Sequence, residues 1–290
     1  MKKLSFLMLV ATVCFAGLGT VAAQEQPEGP PKVLQVIREF TKPGKAGMIH
    51  EKSESAFVQA FARAKWPTHY LAVSSMSGKP RNLFLVGYDS FAAWEKDNQA
   101  TEKNAALSQA LDRATVADGD LLSETDGGVA IYRPDYSLRP PAGIATMRYF
   151  EISVFHVREG HDKDFDDLVK MVMAAYEKIP DSHWVTYESV YGQMGSTFIV
   201  FNPMKSLAEV DQAIAQGKQF EAAMGEEGMK RFRDLSAASI ESSQANLFQF
   251  SPKMSYPLDA WVKADPTFWK PAPAPAAAPK KGAEKPPAKP

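Results

Sequence analysis

Residues 68–78 read "THYLAVSSMSG" and residues 182–192 read "SHWVTYESVYG". Laid over each other without a gap, they pair Thr68 with Ser182, His69 with His183, Tyr70 with Trp184, Leu71 with Val185, Ser75 with Ser189 and Gly78 with Gly192, at a constant offset of 114. Each stretch starts with a hydroxyl residue and a histidine, runs through β-favouring residues and stops at glycine. That is the pattern of a strand entering a hairpin turn.

The likeness spreads outward from this pair. "NLFLVGYDSFAAWEK" (82–96) lies over "STFIVFNPMKSLAEVD" (196–211), and "VLQVIREFTKPGK" (33–45) over "YFEISVFHVREGH" (149–161), with Gly44 over Gly160. "GVAIYRPDYS" (128–137) lies over "NLFQFSPKMS" (246–255), with Pro134 over Pro252. A pattern that returns along the whole body is an internal repeat. Each copy reads strand, helix, strand, strand, helices, strand. The first helix is clearest in the second copy, where Phe165, Leu168, Val169, Val172, Tyr176 and Ile179 fall on one face. Leu207, Val210 and Ile214 mark a second helix, and 220–240 reads as helical too. The spacing therefore predicts an α+β fold of tandem ferredoxin-like βαββαβ repeats at 32–136 and 146–256, joined by a linker at 137–145.

The order of elements, the "KPGK" (42–45) and "REGH" (158–161) turns after strand one, and the helix start "DSFAAWEK" (89–96) resemble the dimeric α+β barrel superfamily. The nearest likeness is to its NIPSNAP-like and antibiotic-biosynthesis-monooxygenase-like domains. The resemblance implies two ferredoxin-like units packed sheet to sheet around a cavity, here as a pseudo-dimeric barrel within one chain. It also brings in the activities of that superfamily, which includes cofactor-free oxygenases and haem-degrading enzymes.

Strand residues alternate between faces. Leu34, Val36 and Phe40, like Phe150, Ile152 and Val154, form apolar sets expected to pack on the helices. The opposite face then looks across to the other sheet. It carries Gln35, Glu39, Tyr70 and Ser74 in the first copy and Glu151, Ser153, Trp184 and Glu188 in the second. Aromatic rings with a few polar groups are the usual lining of a small-molecule pocket, so these eight are the predicted ligand-binding residues. Two carboxylates in one cavity also suit acid–base work if burial raises one pKa.

His69 and His183 are repeat-equivalent and form the second-ranked pair. They read either as a haem, metal or ligand clamp, or as histidines bonding the loop before each strand. No metal site is expected. The "HDKDFDD" stretch from His161 lacks the glycine and distal glutamate of a calcium loop, and its aspartates suit a helix N-terminus better. "HEKSE" from His50 lacks the second histidine of the zinc-protease pattern. There is no phosphate loop and no dinucleotide fingerprint. No cofactor is predicted, haem being the one that the resemblance allows.

The ends of the chain have a different composition. Lys2 and Lys3, an apolar run from Leu4 and the small residues Val21, Ala22 and Ala23 read as a signal peptide over 1–23, giving an exported, periplasmic or extracellular protein. The only cysteine, Cys14, falls inside it, so cysteine chemistry is excluded from a chain cut there. An aromatic extension at 257–269 precedes a Pro/Ala/Lys-rich tail at 270–290, read as disordered and able to touch acidic envelope polymers. The whole chain carries a formal charge of −1, and without the two signal lysines and the +4 tail the body stands near −7. That balance argues against nucleic acid as a partner. The expected function is binding of a small organic ligand between the two sheets, by a monomer or a dimer of it. An oxygenase-like enzyme in the same cavity and a non-catalytic interaction module of the envelope are the alternatives.

Overall fold

The computed structural model describes residues 29–270. The segment read as a signal peptide, and all of the tail after Lys270, lie outside the described residues. The chain runs β1 (Val33–Thr41), α1 (Met48–Ala64), β2 (Tyr70–Ser75), β3 (Arg81–Tyr88), α2 (Phe91–Lys103), α3 (Ala105–Gly119) and β4 (Leu122–Tyr132). After a single 3-10 turn at Pro134–Tyr136 come β5 (Tyr149–Val157), α4 (Asp162–Tyr176), β6 (Val185–Tyr191), β7 (Thr197–Met204), α5 (Ala208–Ser239) and β8 (Ile240–Phe250). Two short helices, α6 (Asp259–Ala264) and α7 (Pro266–Trp269), end the described chain.

The eight strands close into one antiparallel barrel in the order β1-β3-β2-β8-β5-β7-β6-β4. Within it, β4-β1-β3-β2 and β8-β5-β7-β6 have the same internal order. The registers agree as well: Glu39 faces Asn82 across β1 and β3, as Phe155 faces Phe198 across β5 and β7. Two short seams join the halves, Val73 to Ser75 of β2 against Phe248 to Phe250 of β8, and Val129 to Tyr132 of β4 against Tyr187 to Tyr191 of β6.

Local chemistry sets the element ends. Ser90 caps α2 by accepting from the Ala93 N–H. Asn104 closes α2 and caps α3 by accepting from the Leu107 N–H. Asp162 and Asp164 lie in the first turn of α4, where the helix dipole favours them, but no side chain caps that helix. Both hairpins turn on a left-handed glycine, Gly78 (φ 72°) and Gly192 (φ 84°). A side chain at Gly192 would strike the Gly127 carbonyl, so the position admits only glycine.

The barrel interior is apolar. Leu34, Val36, Leu71 and Val73 from one half meet Phe150, Ile152, Val185 and Phe248 from the other in one buried cluster. Trp269 closes one end, its ring buried against Phe250 and its Nε1 donating to Ala145 O at 2.8 Å. Asp265 anchors this plug to Arg148, whose guanidinium lies 3.9 Å above the Phe268 ring. The aromatic extension thus packs back onto the body.

This arrangement reverses the expected facing. Leu34, Val36, Phe150 and Ile152 point into the barrel, and the polar set points outward to the helices. The physical reason is enclosure. The inside of an eight-stranded barrel is walled by strands all round and holds little but side chains, so a carboxylate there has no partner and no water. A sheet–helix interface can open into a cavity or supply polar groups from the helices.

Candidate functional site

The outer face of the second half, under α4 and α5, encloses a cavity of about 960 Å³. Its floor is built by strand alternation. Glu151 and Asn202 are opposite each other across β5 and β7, Ser153 is opposite Val200, and Val200 is opposite Thr186 of β6. The roof is helical: Phe165, Leu168 and Val172 come from α4, and Gln212, Gln216, Phe220 and Phe232 from α5. α5 bends over the cavity because Gly225 interrupts it with a left-handed φ of 70°.

Three aromatic groups order one wall. Trp184 meets Tyr176 edge to face at 5.3 Å, and Tyr176 packs on Phe220 at 5.0 Å. The Trp184 indole is fixed by its Nε1 donating to Tyr136 O at 2.8 Å. Burial pushes the Tyr176 phenol above its usual pKa, and the nearby Glu151 carboxylate pushes it the same way. Ser182 Oγ, also in the lining, is buried without a hydrogen-bond partner. The result is a mainly apolar cleft with a carboxylate, an amide and hydroxyls along its sheet side.

Of the eight sequence-predicted ligand residues, Trp184, Glu151 and Ser153 line this cavity. Glu188 shares their face of β6 but is held by Arg133 at 2.6 Å. Gln35 lies half-buried in β1. Tyr70 is buried between Phe61, Phe84 and Tyr256. Ser74 and Glu39 enter a polar cluster under the first half. A smaller cavity of about 590 Å³ does open between the two sheets at the plugged end of the barrel. Leu34, Leu71, Phe150, Val185 and Trp261 wall it, and of the predicted eight Tyr70 alone reaches its lining.

The two repeat-equivalent histidines do not converge, since His69 lines the smaller cavity and His183 the larger. His69 stacks on Tyr256 at 4.4 Å. His183 turns Nδ1 to Asp181 O at 3.0 Å and Nε2 to Pro203 O at 2.8 Å, so both ring nitrogens face carbonyl oxygens. A haem in the larger cavity would find no histidine nitrogen directed at it, and the residues present do not fit that group.

The cluster under the first half was not foreseen. His50 and Glu54 of α1, Glu39 of β1 and Asp118 of α3 bring one donor atom each to within 4.8 Å of one another. His50 Nε2 lies 3.1 Å from Glu39, 3.4 Å from Asp118 and 3.8 Å from Glu54. Burial opposes a charge on His50, but its contacts with Asp118 and Glu39 and the charge of Glu54 outweigh this and carry its pKa to about 10. Burial, with the charges of Glu39 and Asp118, pushes the Glu54 carboxyl to about 9. One sequence signal was present: the core-facing stripe of α1, Val58 and Phe61, continues back one turn at a time through Glu54 and His50.

No known family model matches this sequence, and no curated protein does. Among solved structures, a monooxygenase-like protein of Fusobacterium nucleatum is similar in shape, with 13% identity and a TM-score of 0.48, over 76% of this chain and 93% of that one. An anthrone oxidase-like protein gives 16% identity and a TM-score of 0.46 over 76% and 92%. A variant chlorite dismutase of Candidatus Nitrospira defluvii, solved with cyanide, gives 14% and 0.47 over 81% and 95%. The likeness is one of shape and transfers no residue.

Proposed function

We propose that this protein binds an elongated, mostly apolar organic molecule between the second half of the barrel and helices α4 and α5, with a hydrogen-bonding end of the ligand at Glu151 and Asn202. The observation that carries the reading is the cavity itself. At about 960 Å³ it lies at the upper end of the usual range for ligand pockets, and its aromatic roof faces a sheet with a few polar groups. Trp184, braced by Tyr136, offers a rigid ring for stacking at one wall.

The test is a titration with a fluorescent apolar probe such as anilinonaphthalene sulfonate, plus native mass spectrometry of the purified chain. Saturable one-to-one binding is expected, about tenfold weaker in Trp184→Ala and removed when Ser153→Trp fills the floor. Unchanged binding in both variants would sink the assignment.

A second reading is favoured by one pairing. Glu151 and the half-buried Tyr176 line the same cavity, and a carboxylate in a mainly apolar cleft can take a proton from an acidic substrate carbon or hydroxyl. That would be oxygenase-like chemistry without a cofactor. It predicts oxygen uptake with phenolic or hydroquinone substrates that Glu151→Gln abolishes while probe binding persists.

Two parts of the reading rest on sequence patterns. The halves are read as copies of one ferredoxin-like unit, supported by their common strand order and the near-constant offset of the matched segments. Export rests on the basic, apolar and small-residue pattern of 1–23. Fractionation of the full chain with a C-terminal tag tests it, and retention of an uncut chain in the cytoplasm would overturn it. Among the described residues, no helix is long and apolar enough to cross a membrane.

A further inference from the structure

We propose that Glu39, His50, Glu54 and Asp118 form a closed binding site for one first-row divalent transition-metal ion, such as Mn²⁺, Fe²⁺ or Zn²⁺, which ties α1 and α3 to β1. The site lies under the first half of the barrel, away from the proposed ligand cavity, and does not depend on that reading.

The donor atoms come from three elements and lie within 4.8 Å of one another. His50, Glu54 and Asp118 are 1%, 3% and 2% exposed. A buried cluster without a ligand should satisfy its own polar atoms, and with its carboxylates ionised, as a metal ion would hold them, this one does not. Glu54 Oε1 and both carboxylate oxygens of Asp118 are buried with no hydrogen-bond partner. His50 Nε2 has only one hydrogen to give, and Glu39, the nearest acceptor at 3.1 Å, takes it. Such orphaned oxygens are costly in a protein interior unless something else meets them.

A cation at the centre meets them all. Three carboxylates and one imidazole are a hard-to-borderline donor set, which suits Mn²⁺, Fe²⁺ or Zn²⁺ rather than Ca²⁺ with its six to eight oxygens. Around a tetrahedral ion with bonds of about 2.1 Å the donors stand roughly 3.4 Å apart, so the side chains need only draw in by about 1 Å. Four protein donors, three of them buried and Glu39 partly so, describe a structural site, without an open coordination position.

The surroundings supply what such a histidine needs. Asn82 lies 2.8 Å from His50 Nδ1, and Ser74 Oγ lies 2.7 Å from Asn82 Oδ1. In the neutral ring, an Asn82 amide N–H donating to Nδ1 leaves the ring proton on Nε2. Turning the amide over lets Asn82 Oδ1 accept a proton from Nδ1, while its NH₂ donates to Ser74 Oγ. Nε2 is then free to bind the ion. Asn82 is therefore a positioning residue that sets which ring nitrogen is available.

The full chain, dialysed against a chelator, is to be titrated with Co²⁺, Mn²⁺ and Zn²⁺. Binding of one equivalent is expected, with a ligand-field spectrum for Co²⁺ and a rise in Tm that grows with metal concentration. Glu54→Gln and Asp118→Asn, which keep the side-chain shapes, should abolish the one-equivalent step, and Asn82→Ala should weaken it about tenfold. In the wild-type chain, nitrogen NMR of the five histidines should show the His50 ring, and no other, shifting with Zn²⁺. This last measurement decides the matter if the variants do not fold. No stoichiometric binding, binding unchanged in both carboxyl variants, or a shift at another histidine in place of His50 would overturn the proposal.

Discussion

The two halves of the barrel share a strand order, yet their sheet–helix interfaces are built in opposite ways. Under the first half, Ile37, Tyr70, Ala72 and Phe84 meet Val58 and Phe61 of α1 in a filled apolar layer. A buried polar cluster lies at the Glu39–Asn82 end of that layer. Under the second half the matching end, Phe155 opposite Phe198, is closed by aromatic rings stacked with Phe165. There the middle of the interface is hollow. One scaffold has thus placed its polar groups at the edge in one half and along the floor of a cavity in the other. Identical topology fixes where side chains stand, and their volumes decide whether an interface becomes a core or a pocket.

The sharpest way to break this contrast is to truncate matched positions. Phe84 and Val200 are register-equivalent, the first opposite Ile37 and the second opposite Ser153. Phe84→Ala should cost about 3–5 kcal/mol because it empties a filled layer. Val200→Ala should cost about 1 kcal/mol or less, since Val200 already borders space. Chemical denaturation measures both, and equal costs would mean that the second interface is packed after all.

A smaller effect probes how dry the first half is. The Tyr70 hydroxyl is buried with no partner, whereas Tyr187 donates to Pro31 O at 3.0 Å. Tyr70→Phe should raise stability by about 1 kcal/mol and Tyr187→Phe should lower it by a similar amount. A destabilised Tyr70→Phe would show that a polar partner reaches the first half.

The smallest effect concerns pH. Burial lowers the pKa of His69, with backbone contacts and Asp259 opposing. Its unfolded form takes up a proton near 6.5 and its folded form only at lower pH, so stability is lost as pH falls below 6.5 towards the folded value. His69→Phe keeps a ring for Tyr256 to stack on and should flatten that slope. If the slope is unchanged, His69 is solvated and the inner cavity is wetter than its walls suggest.

The doubled pattern around His69 and His183 was enough to foresee the strands, helices and hairpins in order. Alternation along β1 and β5 also sorted the residues of each strand correctly into two sets. It does not say which set faces inward, and the sets were exchanged, because the assignment depends on what encloses each face. Trp184, Glu151 and Ser153 accordingly line one cavity on the helix side of the sheet, opposite to the side that alternation alone suggests. Glu39 and Ser74 were singled out for a ligand and lie in a polar cluster instead. Their partners come from two helices, and only the fold brings Asp118 to His50 from 68 residues along the chain. Nor could sequence reveal the hollow, which reflects the bend of α5 at Gly225 as much as any side chain.

The seams of the barrel bear on how the chain is made. β2 has to wait for β8 and β4 for β6, so a chain emerging from the ribosome carries two bare strand edges for most of its synthesis. The final ladder forms only once the segment up to Phe250 is free, and the Trp269 plug follows it. A nascent chain stalled after Tyr132 would therefore offer two templates for pairing with its neighbours on the same message.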